Sequence, residues 1–288
     1  MKSAIVYLTR SSAGEVAQMA RSIELLESNF LPWSPADIFV FHEPDFDKQM
    51  LSAHDVFERN NVTLARVDFS SIPPGTEHLD RGQRGYRHMC HFFANDIFLR
   101  SELLSYDYYM RLDVDSYILS KVRFNVFESM QSRNIKYAYR MVMTENSNVA
   151  TGLAETAKAF FGQNPALAMA YPHIRKVRLY YTNFEICKLD FFRSEAWQSY
   201  FAAIDSAGGI WHTRWGDAPI RWIGLQYLLK KDEIWFFRDM TYFHRFILRK
   251  GLGFRMPLEY ARSVMSTLIE VLKMKHAKKN GLKCAAAR

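Results

Sequence analysis

The most informative segment of the chain is YDYYMRLDVDS, which runs from Tyr106 to Ser116. Its aromatic and aliphatic residues favour a β-strand, and the run ends in two aspartates, Asp113 and Asp115, one residue apart. Open α/β sheets bind their ligands at the carboxyl ends of the strands. If the strand pattern continues, both carboxylates face the same side and can share a divalent cation with a diphosphate. A solvated transition from strand to turn explains the same spacing equally well.

The N-terminal region predicts a parallel sheet, because strand and helix patterns alternate in it. The predicted elements are a strand from Ala4 to Leu8, a helix that begins with a capping box of Ser12 and Glu15, a strand from Ile38 to Phe41, a helix from Asp47 to Arg59, and a strand from Val62 to Val67. The order β-α-β-α-β is typical of nucleotide-binding folds. We therefore predict an α/β fold with a single domain.

The second half of the chain predicts a mixture of strands and helices. The predicted elements are a strand from Lys136 to Met143, a helix from Thr151 to Phe161, a strand from Phe184 to Phe192, a helix from Ser194 to Ala207, a helix from Asp217 to Leu229, and a strand from Ile234 to Phe237. We expect a catalytic domain over residues 1–256 and a basic amphipathic tail over residues 257–288. The apolar and basic pattern of the tail has two interpretations. The tail is either a helix docked on the domain or a helix that contacts an anionic membrane surface peripherally.

Composition favours an ordinary globular protein. The chain has 288 residues, 49% of them hydrophobic, and a formal net charge of +8. Much of the basic excess follows Lys273, which argues against a nucleic-acid partner for the body of the chain. Three cysteines without metal-site spacing suggest neither a disulfide framework nor a zinc site. Since no apolar run has the length of a membrane span and no signal-peptide pattern opens the chain, we expect a cytoplasmic location.

Five segments together resemble one family, the fungal α-1,2-mannosyltransferases of glycosyltransferase family 15, which have a GT-A fold. The segments are GYRHMCHFF (85–93), YDYYMRLDVD (106–115), TNFEICKLDFFRSEAWQSYF (182–201), AGGIWHTRWGDAPIRW (207–222) and YFH (242–244). The resemblance implies a retaining transfer of mannose from GDP-mannose to a glycan or glycoprotein acceptor in α-1,2 linkage. It also implies a requirement for Mn²⁺ or Mg²⁺.

The same resemblance implies a metal site and a catalytic carboxylate. The metal-binding acid of the family corresponds to Asp113, with Asp115 as a further ligand and donor contact, and the histidine of the YFH segment corresponds to His244. Carboxylates and neutral imidazole both suit Mn²⁺. Glu185 corresponds to the glutamate that the family places beneath the anomeric carbon. Its alternative is a structural role, as a buried acid paired with an arginine such as Arg193.

Three residues correspond to the donor pocket of the family, namely Arg10, Arg111 and Tyr86. Asp217 has two interpretations, as a helix N-cap or as a contact to the acceptor or the sugar. Tyr181 is a second candidate for an acceptor or sugar contact.

The sequence departs from the family just before Tyr181. Where the family has a Tyr-Asn-x-Cys run, this chain has Ile174-Arg175-Lys176-Val177-Arg178, which predicts a difference in acceptor recognition.

Other functions stay open at this stage. A GT-A enzyme that uses a different nucleotide sugar, such as a UDP-sugar, fits the same motifs. A sugar nucleotidyltransferase would need a glycine-rich phosphate loop with a lysine, whereas LTRSSAGE after the first strand has one glycine and no lysine. A basic nucleic-acid-binding module would need basic and aromatic residues interleaved on a surface, whereas the aromatic residues here follow strand and helix periodicity.

Overall fold

The computed structural model describes residues 1–245 and 247–249. The expected domain boundary at residue 256, the amphipathic tail over residues 257–288 and the basic run from Lys273 lie outside the described residues. Within the described ranges, no helix is both long enough and apolar enough to cross a membrane.

Strands and helices alternate through the described part of the chain. The strands are β1 Ser3–Thr9, β2 Asp37–His42, β3 Thr63–Arg66, β4 Tyr108–Leu112, β5 Ser116–Ile118, β6 Tyr137–Tyr139, β7 Val142–Thr144, β8 Arg178–Tyr180, β9 Phe184–Lys188, β10 Ile234–Phe236, β11 Tyr242–His244 and β12 Ile247–Arg249. The α-helices are α1 Ala13–Asn29, α2 Val56–Arg59, α3 Arg81–Ala94, α4 Val126–Ser132, α5 Leu153–Gln163, α6 Leu189–Phe192, α7 Glu195–Ser206, α8 Gly209–His212 and α9 Asp217–Leu228. Short 3₁₀ helices cover Lys48–Ala53, Asp96–Leu99, Ser101–Leu103, Pro165–Leu167 and Lys231–Glu233.

A seven-stranded sheet has the strand order β10-β6-β9-β4-β1-β2-β3. The pairs β1–β4, β2–β3 and β6–β10 are parallel, and β6–β9 is antiparallel. A three-stranded sheet has the order β12-β11-β5, and β7 pairs with β8 in a separate two-stranded ribbon. The predicted α/β fold with a mostly parallel sheet is confirmed.

The described residues fall into two compact units. The first consists of Met1–Val6, Val67–Arg111 and Phe127–Phe237. Its core is aromatic, and the ring of Trp197 contacts those of Phe192 and Tyr200. Gly224 in α9 is required here, because a Cβ atom at this position would lie 2.4 Å from the Tyr200 ring. The glycine therefore allows α9 to pack closely against α7.

The second unit consists of Tyr7–Arg66, Leu112–Val126 and the described part of Arg238–Arg288. Its helix α1 is tied to β5 by buried side chains. Ser22 Oγ donates a hydrogen bond to the carbonyl of Ser116 at 2.6 Å, and Asn29 Nδ2 donates one to the carbonyl of Ile118 at 2.9 Å. These bonds satisfy polar groups that would otherwise be buried without partners.

Three predicted elements differ from those observed. The strand predicted from Phe184 to Phe192 ends at Lys188, and the residues that follow it form the helix α6 Leu189–Phe192. The predicted helix from Asp47 to Arg59 is a 3₁₀ helix followed by the short α2, because the Asp47 carboxylate accepts the Gln49 N–H at 2.9 Å and tightens the first turn. The strand predicted from Lys136 to Met143 is interrupted, and its two halves are β6 and β7, which pair with different strands.

The predicted capping box at the start of α1 is not formed. Ser12 is the N-cap residue but makes no hydrogen bond through its side chain. The Glu15 carboxylate instead binds the backbone N–H and the guanidinium of Arg10. The acid that was expected to cap the helix thus neutralises the cation at the end of β1.

Candidate functional site

The aspartates of the LDVD motif follow β4 directly. Strand β4 ends at Leu112, and the residues from Asp113 to Asp115 form a turn, closed by a hydrogen bond of 2.9 Å from the Ser116 N–H to the Asp113 carbonyl. Strand alternation therefore does not apply to the two carboxylates, and this argument for their common orientation is wrong. Both residues are only half-buried.

The antiparallel pairing of β5 with β11 brings His244 beside this turn. His244 is the register partner of Ser116, and its Nδ1 atom lies 3.1 Å from Oδ1 of Asp115. The histidine is 2% exposed and the Asp115 side chain 15% exposed. Ser116 Oγ lies 3.3 Å from the same Nδ1 atom and accepts a hydrogen bond from the Tyr242 hydroxyl at 2.8 Å. The structure thus brings together two of the three predicted metal ligands.

A carboxylate and an imidazole nitrogen at this separation suit Mn²⁺, which accepts both oxygen and nitrogen donors. Within residues 1–245 and 247–249, no group of three or more His, Cys, Asp or Glu side chains has the arrangement of a metal site. Asp115 and His244 could therefore supply two ligands, with the remaining positions left to donor oxygens or water. A ligand role for Asp113 stays a prediction.

Arg10 lies at the end of β1 with 73% of its side chain exposed. Its guanidinium binds Glu15, and hydrogen bonding to this carboxylate together with its charge raises the pKa of Arg10. The predicted contact of Arg10 with the donor stays a prediction.

In the first unit, β9 holds Glu185 in a fully buried network. The residue is 0% exposed, and its carboxylate accepts hydrogen bonds from the hydroxyls of Tyr109 and Tyr137, the latter at 3.0 Å. The guanidinium of Arg221 binds the same carboxylate, with Nε 3.1 Å from Oε2. Burial and the neighbouring Glu185 charge raise the pKa of both tyrosines well above their usual value. The catalytic role of Glu185 stays a prediction, and contact with a substrate would require these donors to move.

The sequence pattern does not identify Arg221 and suggests Arg193 as the structural partner of Glu185. Arg193 instead donates to the backbone carbonyls of Phe98 and Leu103, both at 2.7 Å. Burial lowers the pKa of Arg221, but the nearby Glu185 carboxylate outweighs this effect and keeps the pKa above its usual value. The available signal was a lone arginine between the apolar Ile220 and Trp222 within a helix, which implies a buried acidic partner.

Asp217 and Arg111 form a second buried pair in the first unit. Arg111 Nη1 lies 2.7 Å from Asp217 Oδ2, and Thr182 Oγ1 donates to the same oxygen at 2.7 Å. The Arg111 guanidinium also lies over the Phe93 ring, 3.6 Å from its centroid. The N-cap of α9 is Gly216 and Asp217 is the first helical residue, so the interpretation of Asp217 as the N-cap is wrong.

Tyr86 lies on α3 and is 38% exposed. The Arg214 guanidinium lies 4.4 Å from the centroid of its ring, and burial of the hydroxyl raises the pKa of Tyr86. A Cβ atom at Gly216 would lie 3.9 Å from that hydroxyl, which places Tyr86 close to the start of α9 and hence to Asp217. Tyr181 follows β8, and its backbone N–H donates to the Met141 carbonyl at 2.9 Å.

A family model described as glycolipid 2-alpha-mannosyltransferase matches residues 76–250, which is more than half of the chain. A probable mannosyltransferase, KTR3 of Saccharomyces cerevisiae, is 30% identical over 201 residues, which cover 65% of this chain and 47% of the relative. Glycolipid 2-alpha-mannosyltransferase 1 of Candida albicans is 29% identical over 272 residues, which cover 85% of this chain and 62% of the relative. The chain thus spans about half to three fifths of the length of these relatives.

Two solved structures are similar in fold. The core-mannan synthase A of Aspergillus fumigatus, in a form with Mn and GDP, superposes with a TM-score of 0.76 at 21% identity, covering 88% of this chain and 77% of that one. The mannosyltransferase Ktr4p of Saccharomyces cerevisiae in complex with GDP gives a TM-score of 0.75 at 21% identity, covering 87% and 72%. These similarities confirm the predicted GT-A-type fold.

Proposed function

This chain belongs to the glycolipid 2-alpha-mannosyltransferase family, and we propose that it is a retaining, metal-dependent glycosyltransferase. In this proposal it moves mannose from GDP-mannose to a glycan acceptor in α-1,2 linkage. The family resemblance predicted from the sequence is confirmed. The donor is inferred from the family and from the GDP bound in structures of similar fold.

The observation that carries the proposal is the contact of 3.1 Å between Asp115 and His244. It supports a metal site because a buried imidazole meets a partly exposed carboxylate at the turn that follows a sheet strand. When bound, Mn²⁺ would neutralise charge on the diphosphate and so stabilise the departing GDP. Asp115 and His244 would hold the ion, with Asp113 as a further candidate ligand.

Two of the three predicted donor-pocket residues, Arg10 and Tyr86, are proposed to bind the donor directly. Arg10 offers an exposed guanidinium, which suits a phosphate oxygen or the face of a base. Tyr86 offers a partly exposed ring and hydroxyl. Arg111 is bound to Asp217, so we infer that it acts mainly by fixing that carboxylate.

Two carboxylates are candidates for the group that stabilises the anomeric centre. Glu185 is the residue implied by the family motif, and it is fully enclosed by Tyr109, Tyr137 and Arg221. Asp217 is 5% exposed and lies close to the hydroxyl of the partly exposed Tyr86. The position of Asp217 close to the partly exposed Tyr86 favours Asp217 as the carboxylate that contacts the sugar and Glu185 as a residue that positions β9 and α9. In either case the group would stabilise positive charge at the anomeric carbon or act as a nucleophile.

The proposed acceptor is a glycan or a glycoprotein, and Tyr181 and Asp217 are its candidate contacts. An acceptor hydroxyl attacks the anomeric carbon, the bond from that carbon to the diphosphate oxygen breaks, and the hydroxyl proton passes to a carboxylate or a leaving phosphate oxygen. The configuration at the anomeric carbon is retained.

The donor assignment can be tested without an acceptor, because such enzymes hydrolyse their donors slowly in its absence. The full chain is incubated with GDP-mannose, GDP-glucose, UDP-galactose and UDP-N-acetylglucosamine, each with Mn²⁺ or with EDTA. We expect release of GDP from GDP-mannose with Mn²⁺ only. If only a UDP-sugar were hydrolysed, the donor would be that sugar nucleotide and not GDP-mannose. Turnover in EDTA would show that the reaction does not need a metal ion.

A further inference from the structure

The segment YPHIRKVR, from Tyr171 to Arg178, is here called the basic loop. It carries Arg175, Lys176 and Arg178 and has no acidic residue. All three cationic side chains are exposed. In the described part of the chain, none of these three side chains forms an ion pair or a hydrogen bond. Among the described residues, the loop therefore presents three exposed cationic side chains without an ion-pair partner.

The basic loop is fixed at both ends on α9. Before it, the Met169 N–H donates to the Tyr227 carbonyl at 2.7 Å. After it, Gln226 Nε2 donates to the Tyr180 hydroxyl at 3.2 Å. Strand β8 is also paired with β7, where Arg178 is the register partner of Thr144. Because the two ends bind neighbouring residues of α9, the three cations are held on an anchored backbone, which lowers the entropy cost of binding a ligand.

The loop continues directly into the candidate acceptor contacts. Tyr181 is three residues after Arg178, and the next residue, Thr182, donates to Asp217 at 2.7 Å. Four residues of extended chain span at most about 14 Å. Arg178 is therefore close enough to Asp217 for one oligosaccharide to contact both.

We propose that the basic loop binds a phosphate group on the acceptor, so that the preferred acceptor is a phosphorylated mannoside rather than a neutral one. This inference rests on the proposed function. A neutral sugar offers hydroxyls, which do not require a cluster of unneutralised cations. A phosphate offers three oxygens that match the forked donors of arginine and the ammonium of lysine.

The test compares two small acceptors, mannose 6-phosphate and methyl α-D-mannopyranoside, with GDP-mannose and Mn²⁺ in excess. An exposed charge pair changes binding by up to about fivefold. We therefore expect kcat/KM to be about ten times higher or more for the phosphorylated acceptor, with a preference that shrinks as salt is added. In the triple variant R175E/K176E/R178E the preference should disappear, whereas kcat/KM for the neutral acceptor and donor hydrolysis should stay within about twofold.

A matched triple variant, K121E/K158E/K231E, makes the same change of charge at other exposed lysines. It should keep the preference for the phosphorylated acceptor. Calorimetric titration with mannose 6-phosphate in the absence of donor gives a second readout that needs no turnover, and binding should be lost in the loop variant alone. Equal kcat/KM for the two acceptors, or unchanged binding of mannose 6-phosphate by the loop variant, would overturn the inference. Absence of donor hydrolysis in the wild-type chain would instead contradict the proposed function.

Discussion

The Nδ1 atom of His244 lies 3.1 Å from Oδ1 of Asp115, which joins the end of β11 to the turn after β4. This contact predicts that both side chains bind the same metal ion. H244A and D115N should each weaken the Mn²⁺-dependent binding of GDP by about 10- to 100-fold, because a protein ligand of the ion is lost. Calorimetric titration of GDP with and without Mn²⁺ measures this change.

The matched control for this prediction is H78A, which removes an exposed histidine. It should leave GDP binding unchanged. If H244A and D115N bound GDP as the wild type does when Mn²⁺ is present, the contact would be a structural hydrogen bond.

The two buried carboxylates should respond differently to conversion into amides. In D217N we expect kcat for donor hydrolysis to fall by about 100-fold or more, with the Kd for GDP within about threefold, because the carboxylate acts on the transition state. E185Q should leave Arg221 buried without a counter-charge and lower the free energy of unfolding by about 3–5 kcal/mol, with a smaller loss of kcat in the folded enzyme.

Urea denaturation and single-turnover kinetics on protein with intact near-UV circular dichroism separate these effects. D190N changes an aspartate whose side chain is 68% exposed and serves as the control for both variants. A kcat that collapses in E185Q and persists in D217N would return the catalytic role to Glu185.

Part of the fold can be predicted from the sequence because it depends on local patterns. The strand β4 and the start of α9 at Asp217 follow from strand propensity and first-turn chemistry. Contacts between elements that are distant in the sequence cannot be predicted from local patterns. Glu185 and Arg221 meet because β9 and α9 pack together, and no periodicity specifies which arginine reaches which acid. The turn from Asp113 to Asp115 could not be predicted either, because the alternation of side chains between the two faces of a sheet holds only as long as the strand continues.

The two aspartates beside His91 predict that the free energy of unfolding depends on pH. Its Nδ1 lies 2.8 Å from Asp96 and its Nε2 3.2 Å from Asp205. Burial lowers the pKa of His91, but hydrogen bonds and charge from the two aspartates outweigh burial and raise the pKa to about 9. The stabilisation is fully present below the unfolded pKa of about 6.5 and is lost as pH rises through 9, which amounts to up to about 3 kcal/mol.

The measurement is the free energy of unfolding in urea between pH 6 and pH 10. H91Q should be less stable at pH 6 and should lack this decline. A wild-type curve that is flat over this interval would show that folding does not raise the pKa of His91.

The backbone conformation of Arg214 predicts that glycine is more stable than alanine at this position. Its φ is +79°, in the left-handed region, where side chains of L-residues cost about 1–2 kcal/mol. R214G and R214A both remove the cation–π contact with Tyr86, so their difference isolates the backbone term. R214G should be the more stable of the two by about 0.5–1 kcal/mol.

The opposite order is expected at Lys158, an exposed residue within α5. There K158A should be more stable than K158G by about 1 kcal/mol. Chemical denaturation of the four variants gives both differences, and an alanine preference at Arg214 would show that the backbone there is not strained.

Retaining transfer of mannose can be observed directly in the proton NMR spectrum of a single reaction. The full chain is incubated with GDP-mannose, Mn²⁺ and methyl α-D-mannopyranoside, and the anomeric signals of the product are recorded over time. We predict an α-linked dimannoside that accumulates in step with GDP and fails to form in EDTA. A β-linked product would rule out retention of configuration, and consumption of another nucleotide sugar without any product from GDP-mannose would rule out mannose as the transferred sugar.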